Sequence, residues 1–273
     1  MKRTVSSVLL HAVLLLLAVA TAAPLVWMVS ASLMPQGQAN TEPPPFFPSA
    51  VTWDNYRELF DRLDLGRQLF NSFFIATSIT LISTLFNSMA GYAFARLRFP
   101  GRDRIFAILL AAMVIPSQVS MLPLFLLLKN LGLINTYWGV IVTGMATILG
   151  IFLMRQYALS VPEELLDAAR MDGASEWRIY WSVVLPLCRP VLVTLAVLTF
   201  LTTWNDFMWP LIVLTDESRY TLPVALANLS GEHVQDTELM MAGAVVTVFP
   251  VLLLFLALQR QYIAGIMMGG VKE

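Results

Sequence analysis

Residues 69–95, LFNSFFIATSITLISTLFNSMAGYAFA, run without a single charged side chain. A helix rising about 1.5 Å per residue needs roughly 20 predominantly apolar residues to cross the hydrocarbon core of a bilayer, and this stretch is long enough. Five more apolar runs accompany it, at Val8–Val29, Ile105–Leu128, Tyr137–Met154, Val191–Leu214 and Met240–Leu258, charged only at Asp206. Open strands would leave edge amides unsatisfied in lipid, and the ten-residue alternation of a transmembrane barrel is absent. Six helical spans are therefore predicted. Composition agrees: of 273 residues 58% are hydrophobic and 13% charged, and the mean hydropathy of +0.71 lies outside the range of a soluble domain.

The same composition removes several functions. A net charge of −1 offers no basic field for nucleic acid. The single cysteine, Cys188, cannot form an internal disulfide, and His11 and His233 are too far apart in the chain to suggest a metal site. Lysine occurs only at 2, 129 and 272, never in a Gly-rich phosphate-cradling loop, so the chain has no P-loop for ATP.

Counting cations between the runs sets the orientation. With the N-terminus inside, twelve Lys and Arg fall on the inner side, against Arg57, Arg62, Arg67, Lys129 and Arg219 outside. The positive-inside rule then puts both termini in the cytoplasm, and the Arg-rich stretch 96–104 reads as a topological anchor. The first run has the charged start of a signal peptide, with Ala18-Val-Ala20 resembling a cleavage site. Its apolar character continues to Val29, beyond the usual h-region, which favours an uncleaved anchor. Between the first two runs, Pro43-Pro44-Pro45 and Pro48 predict a stiff, extended segment. Trp53 to Phe60 then reads as a short amphipathic helix, either interfacial or a docking surface for an external partner.

Between the fourth and fifth runs lies the long inner connection 161–186, VPEELLDAARMDGASEWRIYWSVVLP. Pro162 suits a helix start, Glu163, Glu164 and Asp167 complement the positive end of the helix dipole, and Gly173 is placed for a left-handed cap. Leu165, Leu166, Ala169 and Met171 give this first helix an apolar side, while Asp167, Arg170 and Asp172 offer charge. A second short helix leads to Leu185-Pro186. The whole is a helix-turn-helix knob facing the cytosol.

These residues resemble the EAA loop of ATP-binding cassette importer permeases, whose pattern is Glu-Ala-Ala, three residues, Gly, nine residues, Ile, one residue, Leu-Pro. The match is Asp167-Ala168-Ala169, Gly173, Val183 and Leu185-Pro186, with Asp in place of Glu and Val in place of Ile. The resemblance implies an all-α, six-span type I importer permease, and a knob that inserts into a groove on a separate ATPase. Glu164, Asp167, Ala168, Ala169, Asp172, Gly173, Leu185 and Pro186 would form that coupling loop, with Asp167 in ionic contact. Other stretches are similar to the second permease of maltose-type carbohydrate importers. They are Ile115-Pro116 through Leu122-Pro123-Leu124 to Gly132–Asn135, Thr203–Phe207, Tyr220–Pro223, and Gln259-Arg260 to Lys272. On that resemblance the partners are a second permease, two cytoplasmic ATPases and an extracytoplasmic solute-binding protein. ATP and Mg would sit on the ATPases, and this chain would bind no cofactor.

The chain then reads as one transmembrane domain, 1–273, in the cytoplasmic membrane. It has a peripheral first span 8–29, five core spans within 69–258, the loop 161–186 and a cytoplasmic tail 259–273. An Asp at a helix centre costs about 2.5–3.5 kcal/mol on insertion scales, so Asp206 should face protein or water. Trp204, Asn205 and Asp206 are therefore a candidate wall of the translocation path, or else belong to the outer interface with Trp209. Pro116, Pro123, Pro210 and Pro250 are expected to bend spans. Gly265 to Gly269 has the spacing of a small-residue packing motif and is a candidate tail contact with the ATPases. Two rivals stay open on the residues alone. A channel would conduct without ATP, and a membrane enzyme would need an acidic or His cluster that the spans lack.

Overall fold

The computed structural model describes residues 2–232 and 236–270, with side chains for 7, 9–229, 236–257 and 259. The readings of His233, Lys272 and the 265–269 motif fall outside the described residues or side chains. Among the described residues there are helices and no strands. In chain order these are α1 (Lys2–Ser32), α2 (Asp54–Arg62), α3 (Leu65–Arg96), α4 (Arg102–Ala112), α5 (Ser117–Asn130), α6 (Tyr137–Gly144), α7 (Ile148–Leu159) and α8 (Glu163–Met171). They continue as α9 (Glu176–Ile179), α10 (Leu185–Leu187), α11 (Arg189–Trp204), α12 (Met208–Val213), α13 (Leu222–Glu232) and α14 (Thr237–Gly270).

Among the described residues, four stretches are long and apolar enough to cross a membrane: Leu9–Ser32, Leu65–Arg96, Tyr137–Leu159 and Thr237–Ala257. The third expected run is not straight. It is the pair α4 and α5, bent by 104°, because Pro116 removes a donor and holds its own backbone extended at ψ 133. The fifth expected run also breaks: α11 stops at Trp204 and α12 begins at Met208. A second bent pair, Glu176–Leu187 with α11, turns by 79°. Six spans result if each bent pair counts as one. Pro116 marks a sharp bend and Pro210 follows the break between α11 and α12, whereas Pro123 and Pro250 lie inside continuous helices.

The residues fall into two compact units, Met1–Gly66 with Ala225–Leu252, and Arg67–Val224 with Leu253–Glu273. In the first, most of α1 is exposed and apolar all round, as a lipid-facing helix must be. His11 is exposed too, its Nδ1 lying 2.7 Å from the Ser7 carbonyl one turn back. The end of α1 is covered: Ala31, Met34 and Ala39 form a small core with Trp27 and Met241. Asn55 of α2 donates to the carbonyls of Ser32 and Met34, at 2.9 and 2.8 Å, and Leu59 is fully buried. The expected amphipathic helix thus exists and turns Asn55 and Leu59 inward, leaving Trp53 and Phe60 exposed. The proline segment is not a straight spacer. It folds back so that Gln38 Oε1 accepts from Ser49 N and Oγ, 3.2 and 3.0 Å away.

In the second unit α3 is the central post. Small residues let neighbours approach it: a Cβ on Gly144 would lie 2.8 Å from Ile79 Cγ2. The break between α6 and α7 frees backbone groups at membrane depth, and Asn87 of α3, fully buried, answers them. Its Oδ1 accepts from Thr147 N at 2.9 Å and its Nδ2 donates to Thr147 Oγ1 at 3.2 Å. Thr147 Oγ1 in turn caps α7 by accepting from Gly150 N. At the other end, Asn71 Nδ2 donates to the carbonyls of Ser218 and Tyr220, and Tyr137 donates to its Oδ1.

Gly91 makes a close contact between α3 and α7 near the loop-bearing end. A Cβ there would meet Met154 Cβ at 2.6 Å and the Arg155 backbone nitrogen at 2.9 Å, and backbone cannot yield cheaply. Gly91→Leu should therefore destabilise the purified chain by about 1–3 kcal/mol. Gly66→Ala, where the same atom meets open space, should not. Melting curves in detergent compare the two, and equal midpoints would refute the packing argument.

Candidate functional site

The knob begins where α7 ends. Arg96, the last residue of α3, donates Nε to the Ala158 carbonyl at 3.1 Å and Nη2 to that of Leu159 at 3.0 Å, with a further bond to Val161. It therefore caps the negative end of α7, a task beyond the topological one expected of it. Pro162 then sits at the N-cap of α8, one place before the first turn where it was expected, followed by Glu163 and Glu164.

Only part of the anticipated apolar side of α8 faces inward. Leu166 is fully buried and Ala169 packs beside it, in a core with Val161, Ile179, Tyr180, Val184 and Cys188 against Tyr92, Ala95, Met154 and Ala158. Leu165 and Met171, expected on the same side, are 47% and 87% exposed. Met171 lies about 140° round the helix from Leu166, on the far side, while Leu165 sits one turn from Ala169 at the edge of the buried row, about 100° from Leu166. The outward surface is thus Glu164, Leu165, Asp167, Ala168, Met171 and Asp172, an apolar patch with an acidic rim.

The turn has the geometry its glycine suggested. Gly173 has φ +78, its N–H donates to Arg170 O, and Ala174 N–H donates to Ala169 O, both at 3.0 Å. This is the Schellman arrangement that satisfies the last carbonyls of a helix. Ser175 caps α9 by accepting from Arg178 N. A π-helical stretch, Tyr180–Val184, follows, then α10, which carries half-buried Leu185 and exposed Pro186. Cys188, fully buried, stands at the bend into α11.

One cluster was not read from the sequence. Arg170 donates Nη1 to Asp167 Oδ1 and Nε to Glu176 Oε1, each at 2.8 Å, and Tyr92 donates to Glu176 Oε2 at 2.6 Å. The hydrogen bonds to Glu176 first, and to Asp167 second, raise the proton affinity of Arg170 above its already high value, so the clasp stays charged. Asp167 to Arg170 is an i,i+3 spacing that sequence could have revealed. Tyr92 lies on another helix, and no local signal points to it. Asp167 keeps 62% of its side chain exposed although one oxygen is engaged.

The candidate path residues separate. Trp204 is 2% exposed, its ring stacked on Phe200 at 5.8 Å. Asn205 turns back to donate to Leu201 O. Asp206 alone of the three lines a cavity of about 410 Å³, with Gln118, Thr143, Thr203 and Trp209 also in its wall. Its Oδ1 accepts from Trp209 N at 3.4 Å, which starts α12.

Residues 87–266, which include the knob and this cavity's span-five wall, match the family described as binding-protein-dependent transport system inner membrane component. The chain is 42% identical over 228 residues to the arabinooligosaccharides transport system permease protein AraQ of Halalkalibacterium halodurans, covering 83% of this chain and 82% of that one. It is 31% identical over 272 residues to the lactose transport system permease protein LacG of Rhizobium radiobacter, covering 100% and 98%. A crystal structure of a bacterial ABC transporter involved in import of the acidic polysaccharide alginate shares the fold, at TM-score 0.83 and 23% identity, over 95% and 97% of the two chains. The chain belongs to the family of inner-membrane components of binding-protein-dependent transport systems. It is a multi-pass transport permease rather than a catalytic enzyme.

No atom lies within 4 Å of a Cβ added at Gly173, so a substitution there is strained by φ alone. Gly173→Val should cost about 1–2 kcal/mol, whereas Gly173→Asn, which tolerates the left-handed region, should cost clearly less. Thermal midpoints of the two purified variants test this, and equal losses would mean that the cap is not what the glycine serves.

Proposed function

We propose that this chain is one half of the translocation path of an ATP-driven sugar importer. It pairs with a second permease and engages two copies of a cytoplasmic ATPase, which carry the ATP and Mg. It receives sugar from an extracytoplasmic binding protein. Both termini lie in the cytoplasm, on the inner side set by the cation count. The sugar class rests on the relatives named for arabinooligosaccharide and lactose transport. Asp206 contributes to the wall of the path, with Trp204 and Asn205 holding the end of α11 behind it.

The observation that carries the coupling role is the build of the knob. A nine-residue helix is pinned by Leu166, by the Gly173 cap and by the Arg170 clasp, yet presents Leu165 and Met171 outward. Apolar side chains on a cytosolic tip are costly unless a partner covers them. A groove on the ATPase supplies that cover, and the acidic rim, with Glu164, Asp167 and Asp172, meets cations around it. Closure of the ATPases would then move the knob and the spans fused to it as a rigid body, alternating access.

Purification of the tagged chain from native membranes in mild detergent tests this. An ATPase and a second permease should come with it. Met171→Asp should lower the recovered ATPase by at least about tenfold, as loss of an interface anchor does, without lowering the amount of chain inserted. Gly173→Val should lower sugar uptake at equal membrane level. Recovery of the chain alone, as a homo-oligomer, would overturn the proposal.

A further inference from the structure

Three helix breaks open onto one cavity. Thr143 and Gly144 end α6, Ser117 and Gln118 begin α5 after the 104° bend, and Thr203 and Asp206 flank the end of α11, and all six line the same space of about 410 Å³. Irregular backbone at membrane depth is tolerated only where it is buried in protein or lines a cavity. Transporters place their cargo where helices are interrupted in this way. The volume lies in the range of small-molecule sites, roughly 300–1,000 Å³.

The chemistry of the wall narrows the cargo. Gln118 brings an amide, Thr143 and Thr203 bring hydroxyls, and Asp206 brings a carboxyl group, so donors and acceptors are interspersed. Ile79, Met121, Leu124 and Val140 add apolar surface between them. That mixture suits a ring with hydroxyls on its rim and C–H groups on its faces. No Lys or Arg is among the described lining residues, while one acid is, so a carboxylated sugar would meet a like group and no counter-charge.

We propose that this cavity is a contact station for the hydroxyl groups of an uncharged sugar. The assignment rests on the importer reading above and adds to it the place and the charge class of the cargo. Gln118 and Thr203 are the specificity-determining side chains, and Asp206 excludes acidic sugars.

The test uses the complex recovered with the tagged chain, reconstituted in proteoliposomes with its binding protein. Arabinotriose, lactose, melibiose and trehalose are offered as neutral probes and digalacturonate as the acidic one. Wild type should move at least one neutral sugar and not digalacturonate. Gln118→Leu and Thr203→Val should each lower the sugar moved per ATP hydrolysed by about tenfold, the scale expected when a ligand hydroxyl loses its partner. They should also alter the ratio between transported sugars, which a merely structural defect would not. Thr203→Ser should restore both. Unchanged sugar per ATP and unchanged sugar ratio in the Leu and Val variants, at wild-type membrane levels, would overturn the station and leave the importer reading standing. Preferred transport of digalacturonate would overturn the charge class. Transport of none of the neutral sugars by wild type would bring down the importer reading, and this inference with it.

Discussion

A backbone amide inside a bilayer has no water to bond, and that constraint shapes this chain more than any other. The spans of the second unit are repeatedly interrupted, and each interruption frees N–H and C=O groups that a neighbour must take up. Asn87 does so for the break between α6 and α7, accepting from Thr147 N at 2.9 Å from a position with no solvent exposure. At an exposed end, Asn135, at φ 58 between α5 and α6, orders the chain that leaves α12, its Oδ1 accepting from Thr215 N and Asp216 N at 3.1 Å each. Where no side chain serves, the chain tightens: Met113, Val114 and Ile115 bond back to Leu110, Ala111 and Ala112 before Pro116, which has no donor to satisfy.

Those repairs permit the cavity. A pocket with polar walls in a membrane needs side chains such as Gln118, Thr143 and Asp206 to turn inward, and helix ends bring them together without polar faces toward lipid. The close approach of helices that this demands explains the glycines at the joints. A Cβ on Gly150 would lie 2.2 Å from Asn87 Nδ2, so the same contact that satisfies the break also forbids a side chain there.

The knob follows a different logic, because it stands outside the hydrocarbon. Its strength comes from burial of Leu166, Ile179, Tyr180 and Val184 against the ends of α3 and α7, from a glycine-capped turn, and from Arg170 shared between Asp167 and Glu176. Tyr92 ties this clasp to α3 through Glu176. A lever transmits motion only if it does not bend, and these ties join the knob to the spans as one packed body. For the coupling role proposed here, that rigidity matters as much as the exposed tip.

Periodicity and composition are local properties, and they were enough for the membrane class, the approximate places of the spans, the helix-turn-helix loop and the left-handed glycine at 173. Span lengths, the Pro116 bend and the amphipathic start at Asp54 are also set by neighbours along the chain. What failed was what depends on distant residues. Leu165 and Met171 look like core when counted by type, and only the packing of α8 onto α3 and α7 shows that Leu166 and Ala169 take the inner row. Val191–Leu214 looks like one run, yet α11 stops at Trp204 and the chain turns through Asn205 and Asp206, whose amides and side chains bond within the turn. Trp204, Asn205 and Asp206 are adjacent in sequence yet face a packed ring, a helix carbonyl and a cavity, because the chain turns between them. The residues thus determined that this protein lives in a bilayer and where its helix-turn-helix knob lies along the chain. Only the tertiary structure decided which side chains meet across 60 or more positions, since hydrogen bonds such as that from Thr147 to Asn87 depend on distance in space and leave no periodic trace in sequence.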